Sequence, residues 1–94
     1  MMDLRSLWDL HRAADWPKFS SPDEGELMTL DTVISGCATY YFDEQSLDGP
    51  RVAMLGHCLD DLDRLLPDMP DEAGEYFIRL RTLASLLLDT AHGT

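Results

Sequence analysis

Leu27, Leu30, Ile34, Cys37, Ala38 and Tyr41 follow one another at steps of three and four residues, the spacing that lays side chains along one side of an α-helix. Val33 and Tyr40 widen that stripe. Ser21-Pro22-Asp23-Glu24 marks its start with a hydroxyl at the cap, a proline where a missing N–H costs nothing, and a glutamate three residues after the cap. The helix is therefore predicted to run from this signal to about Asp43. The competing reading is a hairpin turning at Ser35-Gly36, because Thr, Val, Ile and Tyr are strand formers. Its alternation is poor and a lone two-stranded hairpin is marginal in water, so the helix is preferred.

The same period returns twice downstream. Asp48-Gly49-Pro50 opens a helix in which Val52, Leu55, Leu59, Leu62 and Leu66 hold the register until Pro67. Pro70-Asp71-Glu72 starts the longest one, with acids at the positive end of its dipole and Ala73, Tyr76, Phe77, Leu80, Leu83, Ala84, Leu87 and Leu88 as its apolar face. His92-Gly93 is read as its close. The connection from Leu66 to Pro70 is so short that these two helices must run antiparallel. Upstream, Leu4, Leu7, Trp8, His11 and Ala14 make a shorter amphipathic helix that breaks before Pro17, and Trp16 and Phe19 are expected to cross one end of the assembly. The fold class is all-α: a four-helix up-and-down bundle with a short first helix, in one domain over residues 1–94.

From Thr32 to Phe42 the second helix carries no charge at all, although more than a quarter of the chain is charged. Its circumference should accordingly be covered, by the other helices or by a partner. Tyr40 and Phe42 lie about 160° apart on a helix, so one buried stripe cannot take both rings. The first helix is short and offers only one apolar stripe. Val33, Tyr40 and Phe42 are therefore the candidate partner-binding residues, beside a small-residue strip of Thr29, Thr32, Gly36 and Thr39 that admits close approach of another helix.

The 94 residues hold 18 Asp and Glu against 7 Lys and Arg, a net charge of −11. Such a field repels nucleic acid and anionic membranes and favours a basic partner. The uncharged run is also too short for a bilayer, which needs about 20 apolar residues. Met1-Met2-Asp3-Leu4-Arg5 lacks the basic start and apolar core of a secretory signal, and a cytoplasmic protein is expected. Cys37 and Cys58 are too widely spaced for a paired-cysteine metal or redox motif and fall on helical stripes, as buried free thiols do.

Candidate chemistry is sparse. Glu72 and Glu75 have the ExxE spacing by which small all-helical nucleotide pyrophosphohydrolases hold Mg²⁺, and Asp60, Asp61, Asp63, Asp68 and Asp71 add oxygen ligands nearby. Asp60 and Asp61 lie opposite the leucine stripe, however, and Asp60 and Glu75 each have an arginine four residues on, the pattern of a solvated face. His11 is expected at the core edge, bonded to a carbonyl or to Asp15, and His57 and Cys58 point about 100° apart, which rules out a dyad. No catalytic, metal-binding or cofactor-binding residue is assigned. The expected function is that of a non-enzymatic acidic interaction module. It would bind another protein chain, either a second copy as a homodimer or a basic partner, in the manner of small acidic inhibitors and antitoxins. A small all-helical divalent-metal enzyme or ligand-binding bundle that uses carboxylates, like the nucleotide pyrophosphohydrolases, is the alternative.

Overall fold

A computed structural model describes residues 3–92, which form four α-helices. The first, α1, spans Leu4–Ala13; α2 spans Glu24–Glu44; α3 spans Gly49–Leu65; and α4 spans Asp71–His92, with a 3-10 turn at Leu66–Asp68 between the last two. No strand occurs among the described residues, so the stretch through Ser35-Gly36 is helix and not hairpin. Gly93 lies outside the described residues.

Local chemistry accounts for each helix end. Asp3 caps α1 by accepting the Ser6 N–H at 2.8 Å, and Ala14 leaves the helix in extended conformation three residues ahead of Pro17. Asp48 caps α3 in the same way through the Arg51 N–H at 3.0 Å, with Pro50 in the first turn. The start of α2 departs from expectation. Ser21 Oγ accepts from the Asp23 N–H at 3.1 Å and the Ser21 carbonyl from the Glu24 N–H, which makes a tight turn, and the α-helix proper begins at Glu24. Glu24 does not reach back to close a capping box; its carboxylate instead accepts the Trp16 indole N–H at 3.3 Å. At the other end Gln45 takes up the left-handed conformation, φ 62°, and its N–H bonds to the Tyr41 carbonyl, which stops the helix without a glycine.

Cross-helix pairs fix the directions. Arg64 near the end of α3 pairs with Glu26 at the start of α2, while Arg51 at the start of α3 stands over the Tyr40 ring near the end of α2. Asp63 of α3 accepts from Arg81 of α4 at 2.5 Å, and the first residues of α3 share a recess with Thr90 and Ala91. His11 at the end of α1 meets Asp31 and Tyr76, and Arg5 at its beginning lies over Phe42. The helices thus alternate up and down. Direct packing joins α3 to α4, α2 to both, and α1 chiefly to α4.

The core is where periodicity places it, with one adjustment. All eight residues read as the apolar face of α4 are buried except Leu88, which is half-buried, and on α2 only Tyr41 of its stripe is half-buried. On α3 the buried residues are Leu55, Cys58, Leu62 and Leu65, while Val52, Leu59 and Leu66 sit at the edge. That rotates the buried side by roughly 50° from the leucine stripe. The cause is that α3 must face α2 and α4 together, and the shift brings Cys58 inward.

Two of the ion pairs expected within helices are replaced by other contacts. Arg64 goes to Glu26 and Asp61 rather than Asp60, and the Arg79 guanidinium lies 5.6 Å from the Tyr76 ring rather than on Glu75. Cys37 and Cys58 are buried, free thiols. Burial, reinforced by the neighbouring Cys37 and Asp61, pushes the Cys58 thiol up from 9.0 to about 11.

Two outcomes are expected. Leu80→Ala or Leu83→Ala, each at a fully buried position, destabilises by about 2–5 kcal/mol in urea unfolding, whereas His57→Ala and Asp60→Ala on the exposed side of α3 stay within about 0.5 kcal/mol. Equal losses in the two sets would contradict the assigned faces. In the folded chain Cys58 keeps its proton longer than in the unfolded chain, so its contribution is intact below pH 9.0 and is lost as pH rises toward about 11. Unfolding free energies measured across that window should fall less steeply in Cys58→Ala.

Candidate functional site

Three polar side chains from three helices meet inside the bundle. His11 on the last turn of α1 is only 3% exposed, and its Nε2 lies 2.7 Å from Asp31 Oδ1 on α2. The other carboxylate oxygen of Asp31 accepts the Tyr76 hydroxyl of α4 at 3.1 Å. His11 is bonded neither to a carbonyl nor to Asp15, as the sequence led one to expect, because its side chain points across to α2. Aromatic rings wall the cluster: Tyr76 is centred 4.8 Å from the imidazole and Trp8 6.4 Å away. Trp16 packs edge-on against Tyr76 and Phe77, and Phe19 against Phe77, so the segment after α1 does cross the end of the bundle.

The bonding pattern fixes the protons. An ionised carboxylate offers only acceptors, so the imidazole donates from Nε2 and the phenol from its hydroxyl. Burial, and then the charge of Asp31, raises the Tyr76 phenol above its ordinary value. His11 Nδ1 is buried with no partner. A bare acceptor is the less costly group to leave there, which assigns the Nε2–H tautomer. His11, Asp31 and Tyr76 line an open recess of about 360 Å³ together with Trp8, Arg12 and Trp16, although the imidazole itself is almost wholly withdrawn from water. A general base has to come within hydrogen-bond reach of the proton it removes, and Nδ1 does not. The cluster ties α1 to α2 in one register, since sliding α1 by a turn would strand the buried His11 N–H, while the Tyr76 bond holds the shared carboxylate between α2 and α4.

The residues singled out from sequence do not form one patch. Val33 and Tyr40 lie two turns apart on the α3 side of α2. Val33 lines a recess of about 300 Å³ with Thr32, Gly36, Met54 and Arg51, and the Arg51 guanidinium stands 3.7 Å over the Tyr40 ring. Phe42 is on the opposite flank, against Tyr41 and under Arg5 at 5.1 Å. All three are half-buried. Neither ring lies beneath the Trp16 to Phe19 segment, which is at the other end of the bundle.

The acidic residues are scattered among separate pairs. Asp63 is held below the usual carboxylate range by its bond from Arg81, Asp61 is 3.6 Å from Arg64, and Asp60 is exposed. Among the described residues no three His, Cys, Asp or Glu side chains are placed to share a metal ion. The Glu72 side chain, one half of the ExxE pair, lies outside what is described. No family model, curated protein or solved structure matches the chain.

The shared acceptor should be worth more than either donor. Asp31→Ala leaves both His11 and Tyr76 unpaired and is expected to cost about 2–4 kcal/mol, against about 1 kcal/mol for Tyr76→Phe, which removes one bond only. Urea unfolding of the two variants tests the order, and ¹⁵N spectra of the His11 ring should report the proton on Nε2.

Proposed function

We propose that this protein is a non-enzymatic, acidic interaction module that works by binding another protein chain, and that the outer side of α2, with the adjoining flank of α3, is where two copies meet. One observation carries the reading. Among the described residues no helix covers the outward side of the uncharged run: Thr32, Gly36 and Thr39 are exposed, continuing a face begun by Met28 and Thr29. In a chain this rich in charge, a solvent-facing helix side free of it over three turns needs another explanation than solubility.

The hydroxyls on that face are already occupied. Thr29, Thr32 and Thr39 each donate to the carbonyl four residues back, at 3.1, 2.9 and 3.0 Å. Their donors make no demand on a partner, and burying them leaves none unpaired. Val33 and Tyr40 on one edge, and Met54 at 43% exposure across the recess, supply apolar area. Arg51 is spent on Asp48 and on the Tyr40 ring. Two chains of net charge −11 repel each other at long range, so a self-contact belongs on neutral surface, and added salt should favour it.

Gly36 gives a clean test. A Cβ added there meets nothing within 4 Å and the position is exposed, so Gly36→Ala and Gly36→Arg should each raise the stability of the isolated fold by up to about 1 kcal/mol through helix propensity. Gly36→Arg should at the same time abolish association seen by sedimentation equilibrium in moderate salt, and Val33→Ser with Tyr40→Ser should weaken it with helical content unchanged. A wild-type chain that stays monomeric at millimolar concentration, or a Gly36→Arg variant that associates as well as wild type, overturns the reading.

A further inference from the structure

Among the described residues the most exposed large apolar one is not on α2. Ile78 of α4 is 58% exposed and Leu10 of α1 is 44% exposed, and both line one shallow groove of about 570 Å³ between the two helices. Leu7 belongs to the same groove, Gly74 leaves its floor open, and Asp71 and Glu75 stand at the end nearest the start of α4. We infer that this α1–α4 groove is a second docking site, which takes a basic amphipathic helix of a different protein. It is a separate surface from the α2 face and goes beyond the self-association proposed there.

Shape and charge select the occupant. From Asp71 to Thr82 the α4 wall is twelve residues long, about 16 Å, enough to seat the apolar anchors that a docked helix presents at i, i+4 and i+7 and the turn that follows them. Leu10 and Ile78 provide the apolar seat. Asp71 and Glu75 are exposed and make no ion pair with a described residue. The one cation in the lining, Arg79, turns its guanidinium toward the Tyr76 ring and has its Nε buried. What the groove offers a ligand is thus an apolar seat with an acidic end. A second copy is the wrong occupant, because a two-fold contact here would bring the acids of both chains to one interface. A helix with a leucine stripe and flanking lysines satisfies both parts, and the net charge of −11 draws it in.

The test uses the full chain and three synthetic peptides of about 15 residues: one with leucines at i, i+4 and i+7 among lysines, a scrambled isomer, and a version with glutamate for lysine. Amide shifts and calorimetry should show the first peptide binding, with perturbations centred on Leu10, Gly74 and Ile78. The other two should not bind. Glu75→Lys should weaken binding about tenfold, raised salt should weaken it further, and Ile78→Ser should remove it, an exposed change the fold tolerates. Gly36→Arg should leave peptide binding unchanged, which keeps this proposal separate from the α2 contact. The proposal is overturned if the basic peptide fails to bind at millimolar concentration, if the acidic or scrambled peptide binds as well, if Glu75→Lys has no effect, or if Ile78→Ser disrupts self-association instead.

Discussion

Every other element in this bundle is positioned by the need to cover one side of α4. Ala73, Tyr76, Phe77, Leu80, Leu83, Ala84 and Leu87 are all withdrawn from water, over a span of about four turns. Burying that many large side chains supplies the main favourable free energy available to a chain this size. One neighbouring helix cannot cover so broad a face. Three gather on it, α3 and α2 along its length and α1 beside them, and Trp16 and Phe19 finish the end over Phe77. The resulting molecule has a radius of gyration of 12.8 Å, close to the roughly 12 Å expected of a compact chain of this length.

Hydrophobic coverage alone does not decide how far along α4 the first helix sits. Leu7 and Trp8 would remain covered after a small slide, and an apolar contact is tolerant of such shifts. The bond from His11 to Asp31 is not tolerant, and the second bond, from Tyr76 to the same carboxylate, fixes that acceptor in place. They contribute modestly to net stability, since their partners in water were equally good, yet the first penalises every other register of α1 by leaving the buried His11 N–H without its acceptor. Apolar area holds α1 down and the carboxylate sets its position.

Most of this was legible in the sequence because helices write their buried side at a fixed period. The faces of α2 and α4 follow directly from Leu27 to Tyr41 and from Ala73 to Leu87. The face of α3 was displaced because periodicity centres on the bulkiest residues, whereas packing between two neighbours drew in the smaller Cys58. The polar cluster was legible only in part. His11 on an apolar stripe and Asp31 at a stripe edge are visible as anomalies, but which helix faces which is a tertiary fact, and it decided that His11 reaches Asp31 and not Asp15. The same holds for Arg79, whose four-residue spacing from Glu75 was outweighed by the ring of Tyr76. The groove containing Ile78 had no sequence signal, because an isolated apolar residue on a helix's far side gains meaning only when a second one, Leu10, is brought next to it.

The way α1 is attached also sets an order of events. The helices α2, α3 and α4 follow one another as antiparallel neighbours, so each can pack as soon as the next is made. The principal support of α1, in contrast, is the helix farthest from it along the chain. As the polypeptide leaves the ribosome, Leu7 and Trp8 emerge well before the helix that covers them, and until α4 arrives His11 has only Asp31 of α2 to meet. Of these four helices, the one made before the other three is in this sense the last to be placed.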